Sequence, residues 1–195
     1  MTEKKKRVTV AEKKRRAIQE AIWPGVDHNN LWLRHGSAGF ITIPRTLPLI
    51  VEIINCMTKG APAGGAYLEL WCRSHDECFA DLDDAEAMAF CAGFTGQRAV
   101  HTWRGRIQAL QKLSFIDLRT RGGKTYALIW NPYLVIERHH REKTPGLTED
   151  HYASLAVRVA EIGAQDLKAA QKMLDTETEA AAASAKRKPR AQRAD

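Results

Sequence analysis

Glycine-marked breaks govern what residues 83–130 can become. Ala85-Glu86-Ala87-Met88-Ala89-Phe90-Cys91-Ala92 is a helix-forming run, Asp83 or Asp84 stands at its start as a cap, and Gly93 stops it. Thr95 then predicts a second cap after only one further residue, Phe94. Beyond it Val100, Trp103, Ile107 and Leu110 recur at helical spacing, which predicts a helix over residues 97–112. Leu110-Gln111-Lys112-Leu113-Ser114-Phe115-Ile116 leaves that helix and starts a strand-like run over residues 115–119. A second such run, residues 126–130, follows Arg121-Gly122-Gly123-Lys124, and Gly-Gly between two runs of this kind predicts a tight hairpin.

The flanks read as helices. Thr9 and Glu12 have the spacing of a capping box, and the helix they open stops at Pro24-Gly25. Residues 25–42, rich in Gly, Asn and His, read as a connector with a short strand at residues 31–33. Thr46 opens a helix whose Leu47, Ile50, Ile54 and Met57 share one face, ended by Gly60. Residues 67–73 lean to helix and residues 79–82 to a short strand. Asn131-Pro132 opens a further helix carrying Leu134, Val135 and Ile136, with a basic end at Arg138, His139, His140 and Arg141. After Thr144-Pro145-Gly146, Thr148 caps another; Tyr152, Leu155, Val159 and Ile162 form its stripe, continued by Leu167, Ala170 and Leu174. That stripe has two possible partners, the body of the same chain or a second copy in a homodimer.

Charge is concentrated at the ends. The net charge is +7, yet residues 1–20 hold eight Lys/Arg against three acids, and residues 185–195 hold five against one. The middle is close to neutral and is itself polarised: residues 73–90 carry six acids and one Arg, residues 94–124 seven Lys/Arg and one acid. Basic arms and a basic sector suit a polyanion, because each phosphate they neutralise releases counterions. Lys13, Lys14, Arg15 and Arg16 lie on the first helix.

The basic sector coincides with the second helix of the bend. Opposite Trp103 the helical wheel places Arg98, His101, Thr102, Gly105, Gln108 and Lys112, with Gln97 before them and no acid among them. Arg, Gln and Thr are the side chains that read base edges. Gly105 costs about 1 kcal/mol against Ala inside a helix and lets the backbone approach a partner. Arg104 and Arg106 flank the face where phosphates would lie. Arg119, Arg121 and Lys124 bracket the hairpin tip.

Residues 46–130 resemble a winged helix-turn-helix DNA-binding domain, of the kind carried by bacterial plasmids and integrative elements. The resemblance rests on residues 88–95 for helix, turn and next cap, on residues 110–116 for the helix-to-wing junction, and on residues 121–124 for the wing tip. It implies that the helix over residues 97–112 enters the major groove while the wing touches backbone or minor groove. There are two departures: Ser114 stands where Gly commonly leaves the helix, and the approach to the recognition helix is one residue longer than usual. The expected fold is mainly α with a small β-hairpin: a basic arm (1–24), the connector (25–42), a winged helix-turn-helix core (43–137), a C-terminal helical extension (138–176) and a disordered basic tail (177–195).

The expected partner is therefore double-stranded DNA, bound sequence-specifically by a transcriptional regulator or by a replication or maintenance factor of a mobile element. A plasmid replication initiator binding origin repeats is the alternative within that class. RNA binding through the arms, or a zinc-containing protein-interaction module, would be different classes. RNA binding would call for exposed stacking aromatics. Cys72, His75 and Cys78 stand three apart but lack the tighter paired spacing of structural zinc sites. Asp81, Asp83, Asp84 and Glu86 suit a strand exit and a helix N-terminus better than a nuclease cluster. No phosphate-binding loop, dinucleotide fingerprint or nucleophile elbow is present, so binding without catalysis, cofactor or metal is expected. Four unevenly spaced cysteines, a charged N-terminus and no apolar run of about 18–20 residues predict a cytoplasmic protein, nucleoid-associated when on DNA, with no membrane partner.

Overall fold

The computed structural model describes residues 9–25, 27, 30, 31, 33, 34 and 39–187. They fall into two units, one ending at Phe40 and one beginning at Ile41. The first contains helix α1 (Val10–Ile22), on which Lys13, Lys14, Arg15 and Arg16 are exposed, as are Ile18, Ile22 and Trp23 just beyond it. Lys13 N donates to the Thr9 carbonyl at 3.1 Å, but the Glu12 side chain of the expected capping box lies outside the described residues. So do the basic residues 4–7 and the chain beyond Arg187. Leu31 and Leu33 are not in a strand, contrary to the reading of the connector; the residue between them is outside the described set.

The second unit is mainly helical. Its elements are α2 (Leu47–Met57), α3 (Gly64–Arg73), β1 (Phe79–Asp81), α4 (Ala85–Cys91), α5 (Ala99–Lys112), β2 (Ile116–Arg121), β3 (Lys124–Ile129), α6 (Pro132–Arg141), α7 (Glu149–Glu161) and α8 (Asp166–Arg187). The α2 stripe is buried as expected at Leu47, Ile50 and Ile54, joined by Ile53, while Met57 is only half-buried. Gly64 lets α3 start hard against α2: a Cβ there would sit 2.7 Å from the Val51 carbonyl, and Gly64 N donates to Asn55 Oδ1 at 2.8 Å.

The sheet is antiparallel in the order β1-β3-β2, with Phe79 opposite Leu128 and Arg121 opposite Lys124. Gly122 and Gly123 form a two-residue turn, both at positive φ (61° and 80°), which a twisted hairpin requires and glycine supplies without strain. Ala80, Ile116, Ala127 and Ile129 turn one sheet face into the core. Tyr67 meets Phe115 edge-on at 5.6 Å, joining α3 to the start of the hairpin.

The α5–hairpin junction uses Ser114 at φ 58°, a left-handed backbone in a non-glycine residue. His139 of α6 braces it: Nε2 lies 2.8 Å from the Leu113 carbonyl, Nδ1 2.9 Å from Thr144 Oγ1, and the ring stacks on Phe115. The C-terminal stripe is buried against α2 and α6 of the same chain at Leu155, Val159, Leu167, Ala170 and Leu174, while Tyr152 and Ile162 are half-buried. Glu137, itself buried, accepts from Arg141 Nε at 2.7 Å and from the Tyr152 hydroxyl, tying α6 to α7. Gln171 of α8 donates to the same hydroxyl at 2.9 Å. Helix α8 runs to Arg187, so residues 177–187, expected to be disordered, are helical.

Candidate nucleic-acid interface

Helix α4 is capped by Asp84, whose Oδ1 accepts from Ala87 N at 3.1 Å. It ends at Gly93, where φ is 86°. The bend then runs longer than the sequence suggested. Thr95 does not cap α5. Gly96, at φ 82°, turns the chain a second time, Ala99 N donates to Gly96 O at 3.1 Å, and α5 begins at Ala99 with Arg98 as its N-cap. Gln97 and Arg98 therefore stand exposed in the turn before α5, not on its first turn.

On α5 the side facing the core is Trp103, Ile107 and Leu110, as the stripe predicts. His101, Arg104, Gln108 and Lys112 are exposed; Thr102 and Gly105 are half-buried. A Cβ added at Gly105 would meet nothing within 4 Å, so the helix backbone there faces open space. Arg106 departs from the expected arrangement. Its guanidinium lies over the Phe94 ring at 5.8 Å, and its Nε is buried without a hydrogen-bond partner among the described residues, while the residue as a whole is half-buried. Arg98, Arg104 and Lys112 take part in no ion pair among the described residues. Residues 87–116 contain no acid.

The hairpin runs beside this helix. A cleft of about 270 Å³ is lined by Arg104 and Gln108 of α5, Leu118 and Thr125 of the hairpin, and Asp83 and Ala85 before and at the start of α4. Strand alternation puts Leu118 and Thr125 on the sheet face that packs inward, and Asp117, Arg119, Arg121 and Lys124 on the other face. The wing cations thus point away from the face beside α5, and most are already paired. Arg119 Nε donates to Asp117 Oδ2 at 2.8 Å, which holds the guanidinium pKa above its ordinary value. Lys124 Nζ lies 2.9 Å from Asp83 Oδ2 and 3.3 Å from Asp81 Oδ2, and these two carboxylates, Asp83 first, push its pKa up to about 12. Asp81 is held low by the Asp83 backbone N–H and then by Lys124. Of the three basic residues at the tip, only Arg121 is exposed without an ion-pair partner among the described residues.

The other sequence candidates separate. Lys13, Lys14, Arg15 and Arg16 belong to the first unit and are described there alone. Cys72, His75 and Cys78 do not form a three-ligand cluster. No described helix is long and apolar enough to cross a membrane. Sequence reasoning missed the acids beneath the hairpin: the Asp81 and Asp83 carboxylates were legible as a strand exit, but Lys124 lies over 40 residues further on. No known family model, no curated protein and no solved structure matches the chain.

Proposed function

We propose that this protein binds double-stranded DNA sequence-specifically through α5. The observation that carries the reading is the outward side of that helix: His101, Arg104 and Gln108 exposed around a glycine that faces open space, in a stretch without a single acid. A helix with readers and backbone both accessible can lie in a major groove, with its N-terminal residues toward the base edges. Arg98 and Gln97, in the turn before it, stand where those edges would be met. The element order supports the same reading, because α3, β1, α4, α5 and the β2–β3 hairpin succeed one another as in the winged helix-turn-helix domains that the sequence resembles. Arg121 and the basic residues of α1 then add phosphate contacts that carry no sequence information. A transcriptional regulator and a replication or maintenance factor of a mobile element would share this interface.

The experiment is selection of the full chain's binding site from a random duplex pool, followed by titration against Arg98→Ala. A recovered consensus, with a loss of about 1–3 kcal/mol on it and little loss on random duplex, is the expected result. Equal losses on both duplexes would remove Arg98 from base reading, and a pool that yields no consensus would remove sequence specificity altogether.

A further inference from the structure

Three side chains unused by the proposed interface come together where α7 meets α2. Glu52 and Cys56 stand one turn apart on α2, and His151 lies in the first turn of α7. Cys56 Sγ is 3.4 Å from His151 Nε2 and 3.6 Å from Glu52 Oε1, and one ligand atom from each of the three lies within 4.8 Å of the others. Among the described residues no other three His, Cys, Asp or Glu side chains come this close.

The surroundings fix the arrangement. Gly146, at φ 93°, brings the loop before α7 onto the last turn of α2; a Cβ there would lie 2.7 Å from the Cys56 carbonyl oxygen. Thr148 caps α7, accepting from His151 N at 3.3 Å, and its Oγ1 is also 2.8 Å from His151 Nδ1. That second bond orients the ring and leaves Nε2 facing the sulfur, as the outer hydrogen bond of a metal-bound histidine does.

We propose that Glu52, Cys56 and His151 bind a zinc ion through a carboxylate, a thiolate and an imidazole, with a fourth position open to water or another donor. The distances fit: zinc bonds of about 2.3 Å to sulfur and 2.0–2.1 Å to nitrogen, at a tetrahedral angle, place those two atoms about 3.6 Å apart. A thiolate with an imidazole selects zinc-like ions over calcium or magnesium, which take oxygen ligands. The step balances: the Cys56 S–H bond breaks, a zinc–sulfur bond forms and one proton leaves to solvent. A cysteine thiol ordinarily carries its proton at neutral pH, so the metal-free site holds the S–H that the ion displaces. None of these residues belongs to the α5 face, so zinc binding and DNA binding stand or fall separately.

The test uses the full chain freed of metal by chelator and titrated with Co²⁺, then Zn²⁺. One Co²⁺ per chain is expected, with a thiolate-to-cobalt absorption band that Zn²⁺ abolishes by displacement and release of about one proton per ion. Cys56→Ser removes the band. His151→Ala and Glu52→Gln weaken binding, and Thr148→Val weakens it by about 10–100-fold while Thr148→Ser retains it. Replacing Cys72, Cys78 and Cys91 together by Ser leaves the band intact. Absence of stoichiometric binding overturns the proposal: the contacts would then be a thiol donating to an imidazole and nothing more. A band that survives Cys56→Ser, or that disappears with the other three cysteines, overturns it equally. Circular dichroism certifies each variant's fold; should Cys56→Ser fail to fold, the triple variant alone decides.

Discussion

Two surfaces of the second unit are equally basic in sequence and unlike in structure. The outward side of α5 carries Arg104 and Lys112, with Arg98 just before it, and none of the three has an ion-pair partner among the described residues. The outward face of the hairpin carries Arg119, Arg121 and Lys124, of which Asp117, Asp81 and Asp83 have claimed two. A cation already paired with a carboxylate gains less on meeting a phosphate, because that pair must first be opened. Counting Lys and Arg therefore overstates the hairpin and describes α5 fairly. Under the proposed function, α5 would be the reading surface and the hairpin a support that contributes Arg121.

The largest expected effect separates the two surfaces directly. Arg98→Ala with Arg104→Ala should weaken binding to the selected site by about thirtyfold or more, since each contact is worth about 1–3 kcal/mol. Arg119→Ala with Lys124→Ala should weaken it by less than about threefold at the same salt concentration. Titration of both double variants at fixed ionic strength decides the matter. Comparable losses would mean that the carboxylate pairs open on DNA and that the two surfaces contribute alike.

Gly105 offers a smaller effect of opposite sign on two quantities. It sits mid-helix, and a Cβ there would meet nothing within 4 Å. Gly105→Ala should therefore stabilise the folded chain by about 0.5–1 kcal/mol, read as a shifted urea midpoint. The same methyl would stand between the helix backbone and a bound duplex, so affinity should fall while stability rises. A variant more stable and equally tight would show that the backbone at Gly105 makes no close approach.

How much of this was legible depended on how far each interaction reaches along the chain. The α5 stripe, the Asp84, Asn131 and Thr148 caps, and the Gly122-Gly123 turn are set by neighbours within a few residues, and all were readable. The start of α5 was not, because Gly96 at φ 82° adds a turn that Thr95 and Phe94 give no sign of. Arg106 looked like a phosphate contact because the helical wheel places it at the edge of the outer face; its turn onto Phe94 depends on how the bend folds back. The carboxylates that hold Lys124 and the meeting of Cys56 with His151 are long-range pairings, and no local pattern announces them. Helix α8 outran its expected end because alanine, the best helix former, continues to residue 183 and beyond.

The smallest effect concerns the clamp that gives the hairpin its different character. Lys124 has a folded pKa of about 12 against an ordinary value of 10.5, so the stability it adds is fully present below pH 10.5 and is lost as pH rises through about 12. Asp81 has the opposite sign: its folded pKa lies below 3.8, so its contribution is present above that value and is lost as pH falls through the depressed one. Between those limits Lys124→Gln should lower the urea midpoint slightly, and the deficit should shrink at either extreme of pH. Both groups are exposed, so added salt should shrink it as well. A deficit independent of both pH and salt would place the role of Lys124 in the packing of its methylene stem, and the β1–α4 turn would then be held to the hairpin by backbone pairing alone.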